Sequence, residues 1–427
     1  MNVLLLGSGG REHTMAWSIA QSDKLNQLYI APGNPGTAEL GTNVDLLLSD
    51  FDAILKFIEK HDISLTVVGP EKPLVNGITD FLEKHGHSVF GPSKYAAQLE
   101  GSKKFANEFM KENRIPTADF ETYTRREFDK ALGVIKSKGE YPVVLKADGL
   151  AGGKGVFICE TEQEVEKRLN ELKKSDKFED AAQTLVVEEF MEGQEASVFV
   201  ISDGQTAKIL HYAQDHKRIG DGDTGLNTGG MGAYAPTPVI GSRMLQRVEK
   251  EIILPTISAM LLDEHPYKGI LYCGLMITID GPKVVEFNCR LGDPECQAIL
   301  PAIESDFLDL MYAASNGELD SRDVAIDKLY RCCVVLASDG YPLEYEKGKE
   351  ISGINDVSDD TLVFHAGTKE EDGHIYTDGG RVMSVVGAAD TLGKAIKKTY
   401  DEVDKISFEN KYYRTDIGAK GLRYKDQ

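Results

Sequence analysis

Over residues 1–102, short apolar runs that stop at glycine, proline or asparagine alternate with amphipathic stretches. The runs are NVLLLG, QLYIAPGN, LTVVGP and HSVFGPS, and helical segments such as DAILKFIEKH lie between them. A strand covered on both faces has no polar side to show, so it reads as a continuous apolar run. Its alternation with helical stretches predicts a parallel sheet with helices on its faces. Ligands of such sheets collect beyond the carboxyl ends of the strands, which is where these glycine-rich turns fall.

A chain of 427 residues is too long for one ordinary core and is expected to form two to four domains. With 41% hydrophobic and 27% charged residues it reads as soluble and globular. The formal net charge of −21 leaves no basic surface for a phosphate backbone, which argues against a nucleic-acid partner. No run approaches the roughly 18 apolar residues of a membrane helix. The opening MNVLLLGSGG lacks a basic leader and reads as a first strand, not a secretion signal. Six cysteines (Cys159, Cys273, Cys289, Cys296, Cys332 and Cys333) form no C-x-x-C pair. That usage fits a reducing cytoplasm better than a disulfide framework or zinc cage. His85 and His87 read as a surface turn, and no serine nucleophile elbow is present.

Beyond the first sheet, ETEQEVEKRLNELKK reads as a charged helix, and TLVVEEF and ASVFVISDG as strands. HYAQDHKRIGDGDTGLNTGGMGAYAPTP reads as a long irregular stretch, and loops of that length are usually functional or disordered. In the last block Leu392, Ile396, Thr399 and Val403 form one stripe at spacings of three and four, a helix that Thr391 or Asp390 would cap. We divide the chain at 1–102, 103–326 and 327–427, with a lid subdomain over about 121–190.

Three segments carry chemistry. KADGLAGGKGVFI lacks the spacing and hydroxyl of a Walker loop. Gly152, Gly153 and Gly155 still let backbone N–H groups approach oxygens closely, and Lys154 adds charge. The flanking lysines favour a phosphate cradle over an ordinary hairpin turn. In GSGGREH, Gly7 and Gly9 match a dinucleotide fingerprint, but Glu12 holds the third glycine position and no acid ends the second strand. A phosphate monoester at that helix start, beside Arg11, and a plain strand–helix turn are both open. In KVVEFNCR, strand alternation sends Glu286 and Asn288 to one side, joined by Arg290, with Val285 and Phe287 facing away. Two oxygen ligands plus nucleotide phosphates are what magnesium prefers. In VVEEFMEGQEAS, Glu188 and Glu195 flank a turn that is either a base-binding hinge or a charged hairpin.

These segments, with APGNPGT, VGPEKPLV, GPSKYAAQLEGSK, QDHKR, NTGGMGAY, RLGDPECQ, FHAGT and RTDIG, stand in the order of a known family. The chain resembles the ATP-grasp ligases and, within them, the phosphoribosylamine–glycine ligase (glycinamide ribonucleotide synthetase) family. The resemblance implies a Rossmann-like N-terminal sheet, a central ATP-grasp domain with a mobile glycine-rich lid, and a small C-terminal α+β domain. It assigns Lys103 and Lys146 to the ATP phosphates, and Gly152, Gly153 and Lys154 to the lid. It assigns Glu188, Glu189, Phe190 and Met191 to the adenine hinge, and Glu195 to the ribose. Glu286 and Asn288 match ligands of Mg2+ (or Mn2+). The preceding strand, LYCGLMITI, has no carboxylate, where many ATP-grasp enzymes place one.

The implied reaction joins glycine to 5-phosphoribosylamine with ATP, giving N1-(5-phosphoribosyl)glycinamide, ADP and phosphate in purine synthesis. Arg290, Lys154, Asp215 and Lys217 are the candidate catalytic residues. Gly10, Arg11, Asn34, Glu71, Asp293 and Glu295 are the candidate substrate-binding residues. The expected partners are small molecules, with a monomer or homodimer in the cytoplasm. The rivals are an ATP-grasp ligase with another acid and amine, a nicotinamide oxidoreductase and a noncatalytic nucleotide-binding module.

Overall fold

A computed structural model of the chain describes residues 1–149, 155–174 and 183–425. Gly152, Gly153 and Lys154 lie outside the described residues. The first block is the expected parallel sheet. Its strands run in the order Thr42–Asn43, Gln27–Pro32, Asn2–Gly7, Ile63–Val68 and Val89–Phe90, all paired in parallel. The central strand explains its own apolar run. Leu4 and Leu6 pack into one core and Val3 and Leu5 into another, so both faces are buried.

A four-stranded antiparallel sheet follows, in the order Phe120–Thr124, Thr184–Glu189, Val143–Ala147 and Val156–Cys159. Helices Phe128–Lys138 and Glu162–Lys174 pack on it through Phe128, Ala131 and Ile135 and through Val165, Leu169 and Leu172. These spacings of three and four place one apolar stripe of each helix on the sheet.

The largest sheet has nine strands. It runs Pro282–Asn288, Lys268–Ile277, Gln194–Asp203, Ala207–Asp215, Gly232–Ala235, Tyr330–Ser338, Arg381–Ala389 and Thr361–His365, with Lys411–Tyr412 beside Tyr330–Ser338. Strands from the middle and the end of the chain therefore share one hydrogen-bonded sheet, joined where Gly232–Ala235 pairs with Arg331 to Val334. The tail helix spans Leu392–Val403 and is capped by Thr391, while Asp390 pairs instead with Lys394 at 2.9 Å. Among the described residues no helix is long and apolar enough to cross a membrane.

Two expectations need correction. The stretch after Asp215 is not irregular: Arg218–Gly220 pairs with Thr224–Asn227, and Gly232–Ala235 then enters the nine-stranded sheet. Strands of three and four residues rich in glycine are too short to show a period of two. Gly222 and Asp223, at φ 67° and 58°, turn the hairpin in the left-handed region that glycine and aspartate enter most readily. In the strand Pro282–Asn288, Val285 does not face away from Glu286. The register slips between Gly274 and Leu275, so Glu286 pairs with Gly274, Val284 pairs with Leu275, and Val285 is the extra residue. This bulge keeps Val284 and Phe287 in the core and turns Val285 to the cleft beside Lys217.

Phe287 thus anchors, from behind, the strand end that carries Glu286 and Asn288. Phe287→Ala leaves a cavity expected to cost about 3–5 kcal/mol, read as a lower urea midpoint.

Candidate active site

The end of the strand Pro282–Asn288 faces three lysines brought from three other elements. Lys217 Nζ stands 3.5 Å from Glu286 Oε1 and 3.4 Å from Glu195 Oε2. Lys146, on the four-stranded sheet, donates to the Val285 carbonyl at 3.0 Å and pairs with Glu188 at 2.6 Å. Lys103, first in the helix Lys103–Glu112, donates to the Gly149 carbonyl at 2.9 Å. Ser102 caps that helix and also donates to Asp148. Glu195, Ser197, Asp215, Lys217, Tyr272 and Val285 line the adjoining cleft.

The hinge segment is split by strand alternation. Glu188 turns inward, where Asn107 donates to it at 2.9 Å, so its carboxylate anchors Lys146. Glu189 turns outward to Lys283 at 2.9 Å, Phe190 is exposed and Met191 half-buried. A base placed here would meet the segment's backbone and the Phe190 ring, not the Glu188 carboxylate.

A second cluster sits at the carboxyl ends of the parallel strands. Arg290 donates through Nη2 to Glu100 at 2.7 Å and through Nε to Glu71 at 3.2 Å. Arg11 donates to Glu12 at 2.7 Å and to the Leu291 carbonyl at 3.2 Å. Asp293 accepts from Gln297 at 2.9 Å and pairs with Arg381 at 3.3 Å. Arg381 also donates to the carbonyls of Asp293 and Gly229, each at 2.7 Å. Glu295 opens the helix Glu295–Ile299 and is buried.

In the first glycine loop one N–H is already taken by a side chain of the same turn. The Glu12 carboxylate accepts the Gly9 N–H at 2.7 Å. It packs so closely against Gly7 and Gly69 that a Cβ on either would fall 2.3 Å from the Glu12 side chain. A phosphate there would meet a carboxylate. Gly10 and Asn34 also have reasons internal to the fold. A Cβ at Gly10 would lie 2.6 Å from Gln297 Nε2. The Asn34 amide donates to the carbonyls of Ser8 at 2.8 Å and His365 at 3.0 Å and accepts the Thr37 N–H at 3.1 Å. Of the expected substrate residues, Arg11, Glu71, Asp293 and Glu295 are the ones gathered in the charged cluster.

The electrostatics divide the two clusters. Burial opposes ionisation of Glu286, but Lys217, Lys146, Lys103 and Arg290 together outweigh it and hold the carboxyl down at about 2. Burial likewise works against the Lys217 ammonium, yet Glu195, Glu286, Tyr272 and Asp215 hold it well above its ordinary value. Burial lowers Lys103; Glu286 pulls the other way and Lys146 adds to the fall. Between the two clusters, burial and the charge of Glu295 push the Asp215 carboxyl well up. Burial raises Glu295 too, against its own N–H, Lys217 and Arg290. One face thus holds charges suited to a polyanion, and beside it burial disfavours the charged form of two carboxyls.

Family models of phosphoribosylglycinamide synthetase match the chain in three consecutive parts: the N domain over residues 1–100, the ATP-grasp (A) domain over 101–296 and the C domain over 331–420. The chain belongs to the phosphoribosylglycinamide synthetase family. A phosphoribosylamine–glycine ligase of Halalkalibacterium halodurans is 46% identical over 422 residues, covering 99% of this chain and 97% of that protein. The crystal structure of a phosphoribosylamine–glycine ligase from Thermotoga maritima superposes with a TM-score of 0.85 at 36% identity, covering 98% of this chain and 100% of that one. The biotin carboxylase domain of a Hydrogenobacter thermophilus 2-oxoglutarate carboxylase, solved with MgADP, shares the fold at a TM-score of 0.72 and 15% identity, covering 99% of this chain and 98% of that one.

Within this family fold, Glu100, Tyr272, Gln297 and Arg381 join the site without having been singled out in the sequence. Glu100 is the most connected. Its Oε2 accepts the Cys289 N–H at 2.8 Å and its Oε1 accepts Arg290 at 2.7 Å; with the Asn288 amide oriented to place its nitrogen toward Glu100, which the surrounding donors and acceptors require, that nitrogen donates to Oε1 at 3.0 Å. With that nitrogen committed to Glu100, the Asn288 carbonyl oxygen is turned away from it. An ionised Glu286 and that oxygen make a hard donor pair of the kind a divalent cation accepts. Among the described residues no group of three or more His, Cys, Asp or Glu is placed to cage a metal. Such a donor pair fits a cation that keeps nucleotide oxygens and water as its other ligands.

Glu286 gives a pH test. Its folded value lies below the ordinary 4.5, so its pairing adds stability that is complete above about pH 4.5 and lost as pH falls toward about 2. Glu286→Gln is expected to lower the urea midpoint by a constant amount between pH 6 and 8, and the deficit narrows below pH 4.5.

Proposed function

We propose that this chain ligates glycine to 5-phosphoribosylamine with ATP, giving N1-(5-phosphoribosyl)glycinamide, ADP and phosphate in de novo purine (IMP) synthesis. The observation that carries the reading is the meeting of Lys103, Lys146 and Lys217 at the Glu286–Asn288 face, beside a buried carboxyl cluster, in a chain of this family.

The chemistry accounts for those residues. A carboxylate is a poor acyl donor because oxide would have to leave. Transfer of the γ-phosphoryl group to a glycine carboxylate oxygen makes glycyl phosphate and ADP. The amine of phosphoribosylamine then attacks the acyl carbon, a C–N bond forms, the acyl C–O bond breaks and phosphate departs. Lys103, Lys146 and Lys217 offset the charge on the phosphoryl oxygens. Arg290, held by Glu71 and Glu100, keeps its guanidinium fixed at the boundary between the two clusters. The attacking nitrogen sheds a proton, and Glu295, buried near Lys217 and Arg290, takes it, while Asp215 lines the cleft beside Lys217. Arg11, Glu71 and Asp293 bind the substrates at the ends of the parallel strands. Glu286 and Asn288 would hold Mg2+ or Mn2+, which when bound neutralises nucleotide phosphate charge. Glu195 takes the ribose, and the segment from Glu189 to Met191 takes the base. The protein works in the cytoplasm on small molecules, as a monomer or homodimer.

Two measurements test this. ADP release is expected only when glycine and phosphoribosylamine are both present, and one carboxylate oxygen of labelled glycine is expected in the released phosphate. ADP formation with another acid, or without the amine, points instead to a different carboxylate–amine ligase. Lys217→Ala and Glu286→Ala are each expected to lower kcat by about 10²-fold or more. Near-normal turnover in either, with the fold retained, removes that residue from the site.

A further inference from the structure

Arg414 is fully buried, carries a charge and touches none of the reacting groups. Its Nε and Nη2 donate to the two oxygens of Asp416, each at 2.7 Å. Its Nη1 donates to Asp223 and to the Arg218 carbonyl, each at 3.0 Å. Asp223 and Arg218 belong to the short hairpin after Lys217. The segment around Arg414 grips the same hairpin at further points. The Gly222 N–H donates to Asp416 at 2.9 Å, the Thr415 N–H to Asp221 at 2.9 Å and the Tyr412 hydroxyl to the Ile219 carbonyl at 2.8 Å. Lys420 pairs with Asp223.

The grip closes on both neighbours of Lys217. Arg414 holds the Arg218 carbonyl on one side, and the Gly418 N–H donates to His216 Nε2 at 3.4 Å on the other. The Lys217 carbonyl itself accepts the Thr228 N–H at 2.8 Å and hydroxyl at 2.9 Å. Two strands of three and four residues cannot fix their own orientation. Their geometry has to be imposed from outside, and the segment from Tyr412 to Lys420 imposes it. Asp221, Asp223 and Asp416 surround one guanidinium, so its removal leaves carboxylates facing each other at the hairpin base. A lysine is a point charge and cannot reproduce the planar fork that meets Asp416, Asp223 and the Arg218 carbonyl together.

We propose that Arg414 is a positioning residue for the ligation: from the C-terminal segment it sets the hairpin so that the Lys217 ammonium stands between Glu195 and Glu286. The inference rests on the reading of Lys217 given above, and a double-variant cycle separates the two. Arg414→Gln is expected to lower kcat by about 10- to 100-fold, since a misplacement near 1 Å costs that much. The KM for ATP is expected to stay within about twofold, and hydrogen exchange to rise in residues 216–230. In a Lys217→Met background the same change is expected to alter kcat by less than about twofold, because a residue acting through Lys217 has nothing left to act on. Equal losses in both backgrounds, or normal turnover in Arg414→Gln beside an impaired Lys217→Met, overturn the positioning role and leave the site reading intact. Normal turnover in Lys217→Met overturns both. Should Arg414→Gln not fold, Tyr412→Phe replaces it in the cycle, since it removes only the hydroxyl that holds Ile219. A fall in kcat confined to the Lys217 background supports the role, and no fall, or an equal one in both, overturns it.

Discussion

Like charges have to be kept close together here, and the fold does it by giving the lysines carboxylate partners of their own. Lys146 has Glu188 and Lys217 has both Glu195 and Glu286, while Glu286 also draws on Lys103. A buried cation without such a partner would shed its proton or unfold its surroundings. The pairing also sets the terms of binding. Glu195 and Glu286 hold Lys217 at 3.4 and 3.5 Å, longer than a committed ion pair, so oxygens of a polyanion can compete for it. Glu188 holds Lys146 at 2.6 Å and is itself held by Asn107, which makes that ammonium a fixed post.

The second cluster is built by parts of the chain that are far apart in sequence. Glu71 and Glu100 come from the N-terminal block, Arg290, Asp293 and Glu295 from the turn after the long sheet's edge strand, and Arg381 from the last block. The contacts that cross the block boundaries include ion pairs, bonds to backbone carbonyls and, at Glu100, bonds from the Cys289 N–H and the Asn288 amide. Apolar packing brings the blocks together, with one core cluster running from Leu4 to Phe287 and another from Val3 to Phe364. The charged contacts then fix their rotation.

Much of this was legible in the residues. Apolar runs broken by glycine gave the parallel sheet, since a doubly covered strand has to be apolar throughout, and the spacing of Leu392, Thr399 and Val403 gave the tail helix. The Glu286–Asn288 pair was visible because a strand sets its own alternation. The facing of Val285 was not, because a bulge is decided by the neighbouring strand. Glu12 stood out as a break in a fingerprint, but that it would fill the loop mouth depended on Gly69, which arrives from another strand. Arg381 is 88 residues beyond Asp293 and no local pattern links them. Glu100 lay inside a quoted motif, yet its role came from meeting Asn288, Cys289 and Arg290 at once, which only tertiary structure reveals.

The nine-stranded sheet has a consequence for how the chain can be divided. The strand Gly232–Ala235 is fully interior, with Gln214 and Asp215 on one side and Arg331 to Val334 on the other. Were the chain cut near residue 326, that strand would become a naked border, its amide and carbonyl row open to any passing backbone. Four residues of alanine, glycine and tyrosine offer no charge to repel one. The last hundred residues therefore cover an edge that would otherwise be open to pairing with another chain.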